Sequence, residues 1–75
     1  MANKKGNIEI GYRAYAEVCR IFENANKGAK KMGIRKNSIY EWAAGSVPGG
    51  HYLALLNHYG CDVLYILTGV RNSGN

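Results

Sequence analysis

The stretch Ala29-Lys30-Lys31-Met32-Gly33-Ile34-Arg35-Lys36-Asn37-Ser38-Ile39-Tyr40-Glu41-Trp42 decides the fold. Its periodicity reads as two short helices broken by one glycine. Ala29 and Met32 make the inner face of the first, and Ile39, Trp42 and Ala43, at i, i+3 and i+4, make the inner face of the second. Gly33 lies where the chain must turn sharply, and a residue without Cβ takes a positive φ at little cost. Ile34 then drops back into the core as the chain re-enters a helix. The outward face of the second helix carries Lys36, Asn37, Tyr40, Glu41 and Ala44 and is mostly polar. An ordinary helical hairpin that binds nothing satisfies the same inner-face spacing, so the charge around the pair has to be weighed as well.

That charge is one-sided. Between Lys27 and Lys36 stand Lys27, Lys30, Lys31, Arg35 and Lys36, with no acid among them. A charge run is most often a solvated face; beside two packed helices this one points to a phosphate-binding surface. The whole chain has 75 residues with ten Lys+Arg against five Asp+Glu, a net charge of +5. So small a chain is one domain whose single core is only just sufficient. Its basic excess favours a polyanionic partner, nucleic acid before membrane. No apolar run approaches the roughly 20 residues that span a bilayer, and no signal-peptide core follows Met1-Ala2-Asn3-Lys4-Lys5. A soluble, cytoplasmic protein is expected. Cys19 and Cys61 form no C-x-x-C pair and read as small apolar residues rather than a disulfide.

In chain order, residues 1–7 read as a flexible polar arm and residues 8–69 as the folded domain. Helix one covers residues 8–22. Ile8, Tyr12, Tyr15, Val18, Cys19 and Phe22, widened by Ile21, form its apolar stripe, and Glu9, Arg13 and Glu17 with Arg20 form a solvated, charge-paired face. Gly11 weakens the first turn by about 1 kcal/mol relative to Ala. Asn24 is suited to cap helix two, residues 25–32. Gly45 suits the position after helix three and Pro48 the entry to helix four, residues 51–59, whose inner face is Tyr52, Leu55, Leu56 and Tyr59. Gly60 ends that helix. Asp62 caps a last short helix, residues 63–67, closed by Thr68-Gly69, and residues 70–75 read as a tail or linker.

Several chemistries find no support. Gly45-x-x-x-x-Gly50 has His51 where a phosphate-binding loop requires Lys. His51, His58 and Cys61 lack the paired spacing of zinc ligands, so no metal is expected. Asp62 is the single aspartate, and no nucleophile has a base at useful spacing. No enzyme activity, cofactor or small-molecule substrate is expected.

Ala29, then Gly33 four later, Ile39 six after that and Trp42 three further on, follow the helix-turn-helix pattern. The segment resembles that of the lambda repressor-like (Cro-type, XRE) family of DNA-binding domains. Trp42, Gly45, Pro48, Tyr52-Leu53, Gly60 and Leu67-Thr68-Gly69 extend the resemblance to its bacteriophage-repressor branch. It covers about residues 25–69, with helix one matching by pattern alone. Two positions depart from it: Gly28 stands where the family usually has Leu or Val, and Arg35 where it often has Ser or Thr.

The resemblance implies an all-α, compact five-helix domain that binds double-stranded operator DNA as a homodimer and reads it with helix three in the major groove. Carried onto matching positions, Arg35, Lys36, Asn37, Tyr40 and Glu41 are the base readers. Arg35 or Lys36 would address guanine, Asn37 adenine, Tyr40 a thymine methyl or a phosphate, and Glu41 a cytosine amine. Asn26, Lys27, Lys30, Lys31 and Ser38 are the phosphate contacts. A phage or prophage transcriptional repressor is the implied role. Two other classes remain open, a protein-interaction module such as an adaptor or antitoxin and a nonspecific nucleic-acid binder. The last helix is apolar on several sides, so part of it, tested by Leu64 and Ile66, is expected in a dimer contact, the equal alternative being that it only caps the core.

Overall fold

The apolar spacing is realised as five α-helices in a computed structural model that describes residues 4–71: α1 (Lys4–Phe22), α2 (Ala25–Met32), α3 (Lys36–Ala43), α4 (Gly50–His58) and α5 (Val63–Thr68). No strand occurs among the described residues, and the domain is all-α. No helix is long and apolar enough to cross a membrane among those residues. The helix α1 is the axis: α2, α3 and α5 pack directly on it, and α4 lies against α5. Ala14, Val18, Ile39, Leu56 and Ile66 have no solvent exposure, and Met32 and Trp42 have almost none. Each large apolar side chain buried in this way contributes roughly 1.5–3 kcal/mol.

The local signals at the helix ends work as the sequence suggests. Asn24 Oδ1 accepts the Lys27 N–H at 2.8 Å, capping α2. Gly33 ends it in the left-handed region (φ 72°, ψ 32°), and the Gly33 and Ile34 amides both donate to the Ala29 carbonyl. Asp62 Oδ1 accepts the Tyr65 N–H at 3.0 Å at the start of α5. The helix α4 starts at Gly50, with Gly49 as its cap and the buried Pro48 just ahead of it.

Helix α1 departs from the sequence reading in three ways. It begins at Lys4, so residues 4–7, expected in a flexible arm, are helical; residues 1–3 lie outside the described residues. Lys4 and Lys5 are good helix formers, and adding turns to an existing helix costs far less than starting one. Second, Tyr12 is 48 % exposed rather than core. The buried line runs through Gly11, Ala14 and Val18 instead, because α1 touches the end of α3 at Gly11. A Cβ there would come within 2.2 Å of the Ser46 carbonyl oxygen and 2.7 Å of that of Trp42. Gly28 permits a similar approach of α2, since a Cβ would meet Val18 Cγ1 at 2.5 Å. Both glycines weaken their helices locally and tighten the packing between them.

Third, the face of α1 expected to be solvated is where α5 docks. Glu17 is 1 % exposed. Arg20 donates to both of its oxygens, Nη2 to Oε1 at 2.8 Å and Nε to Oε2 at 2.9 Å. The Asp62 N–H donates to Oε1 at 2.8 Å and Arg71 Nη2 to Oε2 at 2.9 Å. Arg13 Nε donates to the Ile66 carbonyl at 2.9 Å. Arg71, expected in a tail, is thus pinned; its guanidinium also lies 4.0 Å from the Tyr65 ring centroid and 3.4 Å from Asp62 Oδ2. Ile66, expected at a dimer contact, is fully buried, because α5 turns it onto α1, while Leu64, Leu67 and Val70 face outward.

Burial alone would push the Glu17 carboxyl up. The hydrogen bonds from Arg20, Arg71 and the Asp62 amide outweigh it and hold the carboxyl at about 2, against an ordinary value of 4.5. The unfolded chain therefore binds the proton first as pH falls. The stabilisation, roughly 3 kcal/mol, is fully present above about pH 4.5 and is lost as pH falls toward 2. Glu17→Gln is expected to be less stable than wild type by about that amount at neutral pH, with the gap closing between pH 4.5 and 2; urea unfolding across that range checks it. A constant gap would show that the Glu17 charge does not carry the effect. Gly11→Ala should lower stability by roughly 1–3 kcal/mol. That sign is opposite to the gain of about 1 kcal/mol that Ala brings in an open helix. A variant more stable than wild type in the same measurement would rule out the close α1–α3 approach.

Candidate nucleic-acid interface

The surface formed by α2 and α3 is set by what lies beneath it. Ile39 and Trp42 fix the roll of α3 on the core, and the Trp42 ring meets Tyr52 of α4 edge-on at 5.4 Å and 74°. With that roll fixed, Lys36, Asn37, Tyr40 and Glu41 all stand exposed on one side of α3, and Arg35 is exposed at its start. Asn26, Lys27, Lys30 and Lys31 are exposed on α2. Nine of the ten positions singled out in the sequence are therefore exposed.

Ser38 is not. It is half-buried, and its hydroxyl shares a 3.1 Å hydrogen bond with the Tyr52 hydroxyl, so it ties α3 to α4. Lys27 is exposed but ion-paired with Glu23 one turn earlier. Such an open pair is weak and is readily exchanged for another anion. Lys30, Lys31, Arg35 and Lys36 form no ion pair among the described residues. Four cations within seven positions, against the single carboxylate of Glu41 on the same side, thus project a net positive field, effective over about 8 Å at physiological salt.

Two further features shape the surface, the first in line with the weak cap that Arg35 offers in the sequence and the second not legible there. Arg35 occupies the cap position of α3 without making a side-chain cap bond; the Ser38 amide donates to the Arg35 carbonyl at 3.1 Å, and the Lys36 and Asn37 amides stay available beside two cations. Sequence does carry a signal for this, in the absence of Ser, Thr, Asp or Asn at that position. The other is Tyr15 of α1, whose ring lies 6.2 Å from that of Tyr40, tilted by 41°. No local pattern links residues on different helices.

The chemistry available is hydrogen-bond donation, positive charge and one phenol, with Glu41 as an acceptor. Among the described residues no three His, Cys, Asp or Glu side chains are grouped to hold a metal ion. Cys19 and Cys61 are free thiols, and burial, then the Glu17 charge, pushes Cys61 up to about 11, which keeps it protonated and unreactive. No protein family matches the chain, nor does any curated protein or solved structure.

Tyr52→Phe removes the hydroxyl that Ser38 shares while keeping the ring on Trp42. It should cost about 1 kcal/mol and lower the thermal midpoint by roughly 4–8 °C. An unchanged midpoint would mean that the two hydroxyls are satisfied by solvent.

Proposed function

We propose that this chain is a sequence-specific regulator of transcription that binds double-stranded operator DNA through a helix-turn-helix formed by α2 and α3. The observation that carries the reading is the division of α3. Ile39 and Trp42 are buried while Lys36, Asn37, Tyr40 and Glu41 stand together on its outer side, bordered by Lys30, Lys31 and Arg35, which form no ion pair among the described residues. The major groove admits one α-helix, and side chains near its N-terminus reach base edges. Arg35 and Lys36 suit guanine, Asn37 adenine and Glu41 the cytosine amine. Lys30, Lys31, Asn26 and the Lys36 and Asn37 amides suit phosphates, and Lys27 joins them on exchanging Glu23. Such a protein acts in the cytoplasm by occupying DNA, without catalysis or cofactor, in the manner of a phage or prophage repressor of the lambda repressor-like, helix-turn-helix kind.

A homodimer belongs to this reading, because one reading helix buries too little surface for tight specific binding. Leu64, Leu67 and Val70 are 56 %, 43 % and 67 % exposed, and they support a second copy at the α5 end. Half-sites about 34 Å apart would then suit two α3 helices.

Binding to a random-duplex library at several salt concentrations tests the proposal. Lys30→Ala should weaken all duplexes alike and reduce the salt slope by about 1. Asn37→Ala should cost about 1–3 kcal/mol on the best sites alone and relax preference at one or two base pairs. Should Asn37→Ala leave the preference intact while Lys30→Ala changes it, α3 is not the reading helix.

A further inference from the structure

Tyr40 is the one large ring on the outer side of α3, and it is 45 % exposed. A free tyrosine in such a place samples several rotamers, and each rotamer sends the phenol to a different part of a groove. Tyr40 is not free in this sense. Tyr15, half-buried on α1 and packed against the core, sets its ring at 6.2 Å and 41° to that of Tyr40. The helix α1 is in turn locked to the end of α3 one turn earlier, where Gly11 meets the Trp42 and Ser46 carbonyls. Cys19, one turn further along α1, shares this neighbourhood. Hydrogen bonding and charge interaction with Cys19, then burial and the Tyr40 phenol, raise Tyr15 above its ordinary value of 10.0. Tyr15 is thus a neutral ring at physiological pH, backed by fixed neighbours.

We infer that Tyr15 is a positioning residue for the DNA-reading face: its ring fixes the Tyr40 phenol before DNA arrives, so a residue outside α2 and α3 sets part of the base-pair preference. The inference rests on the DNA-binding reading above. Ordering a side chain in advance removes a cost from the bound state, and here it does so for one direction of the phenol only. Preference at the base pairs facing Tyr40 follows from α1 as well as from α3.

The test compares wild type, Tyr15→Leu, Tyr15→Phe, Tyr40→Leu and the Tyr15→Leu/Tyr40→Leu double variant, each confirmed as folded by its thermal transition. In the free proteins, three-bond couplings should report one Tyr40 χ1 rotamer in wild type and Tyr15→Phe, and averaging in Tyr15→Leu. In random-duplex selection, Tyr15→Leu should relax preference roughly 3- to 10-fold at the base pairs that Tyr40→Leu affects, and leave those of Asn37 unchanged. Tyr15→Phe should keep the preference, and the double variant should be no worse than Tyr40→Leu. A single Tyr40 rotamer in Tyr15→Leu, an unchanged preference at the Tyr40 base pairs, or equal losses in Tyr15→Phe and Tyr15→Leu each overturn the inference alone. A wild type that selects no sequence overturns the DNA reading and the inference with it.

Discussion

A carboxylate removed from water has to be neutralised and fully hydrogen-bonded, and Glu17 imposes that condition on much of this domain. Its two oxygens draw the Arg20 guanidinium along α1, the first amide ahead of α5 and the Arg71 guanidinium beyond it. Asp62 therefore has two tasks at one residue. Its amide serves Glu17, and its side chain caps α5 by accepting the Tyr65 N–H. With α5 held at that end and the Ile66 carbonyl held by Arg13, Ile66 has one way to face, and it fills the core. The outward set of Leu64, Leu67 and Val70 follows from the same docking.

Much of this architecture is legible from local chemistry. A cap such as Asn24 or Asp62 acts within three residues of itself, and Gly33 acts through its own φ. Ile39 and Trp42 lie one turn apart, so their shared inner face needs no knowledge of the partner helix. Apart from the helical start at residues 4–7, the misread positions depend on which element covers which face. Glu17 looks solvated until α5 is laid on it, and Arg71 looks like tail until Glu17 calls for a second guanidinium. Tyr12 fits the stripe, but the line of closest approach is set by Gly11, whose missing Cβ makes room for α3. Ser38 has an ordinary surface sequence context, and its partner Tyr52 is on another helix. The exposed cations and Asn37 were legible because a charged or amide group at an outward position needs no partner to stay there.

The same long-range logic shapes the outer side of α3. Its direction is set from beneath by Ile39 and Trp42, from the side by Tyr52, and from α1 by Gly11 and Tyr15. The short helices α2 and α3 would not hold their shape alone, since eight residues fall well below the roughly 12–15 at which isolated helices become even marginal. The rigidity of this surface belongs to the whole domain, and a destabilising change far from the basic cluster reaches it through α1.

The link between Glu17 and Arg71 spans 54 positions, which has a consequence in time. During synthesis at about 5–20 residues per second, Arg71 is added roughly 3–11 seconds after Glu17. Until Asp62 is added, nine residues before Arg71, the carboxylate lacks both partners and is better off in water, so the α1 face that will carry α5 stays wet. Local pairs such as α1 with α2 can form early, and the core can close only when the last helix arrives. The domain thus closes only once α5 and Arg71 have been added, with an early carboxylate waiting for a late arginine.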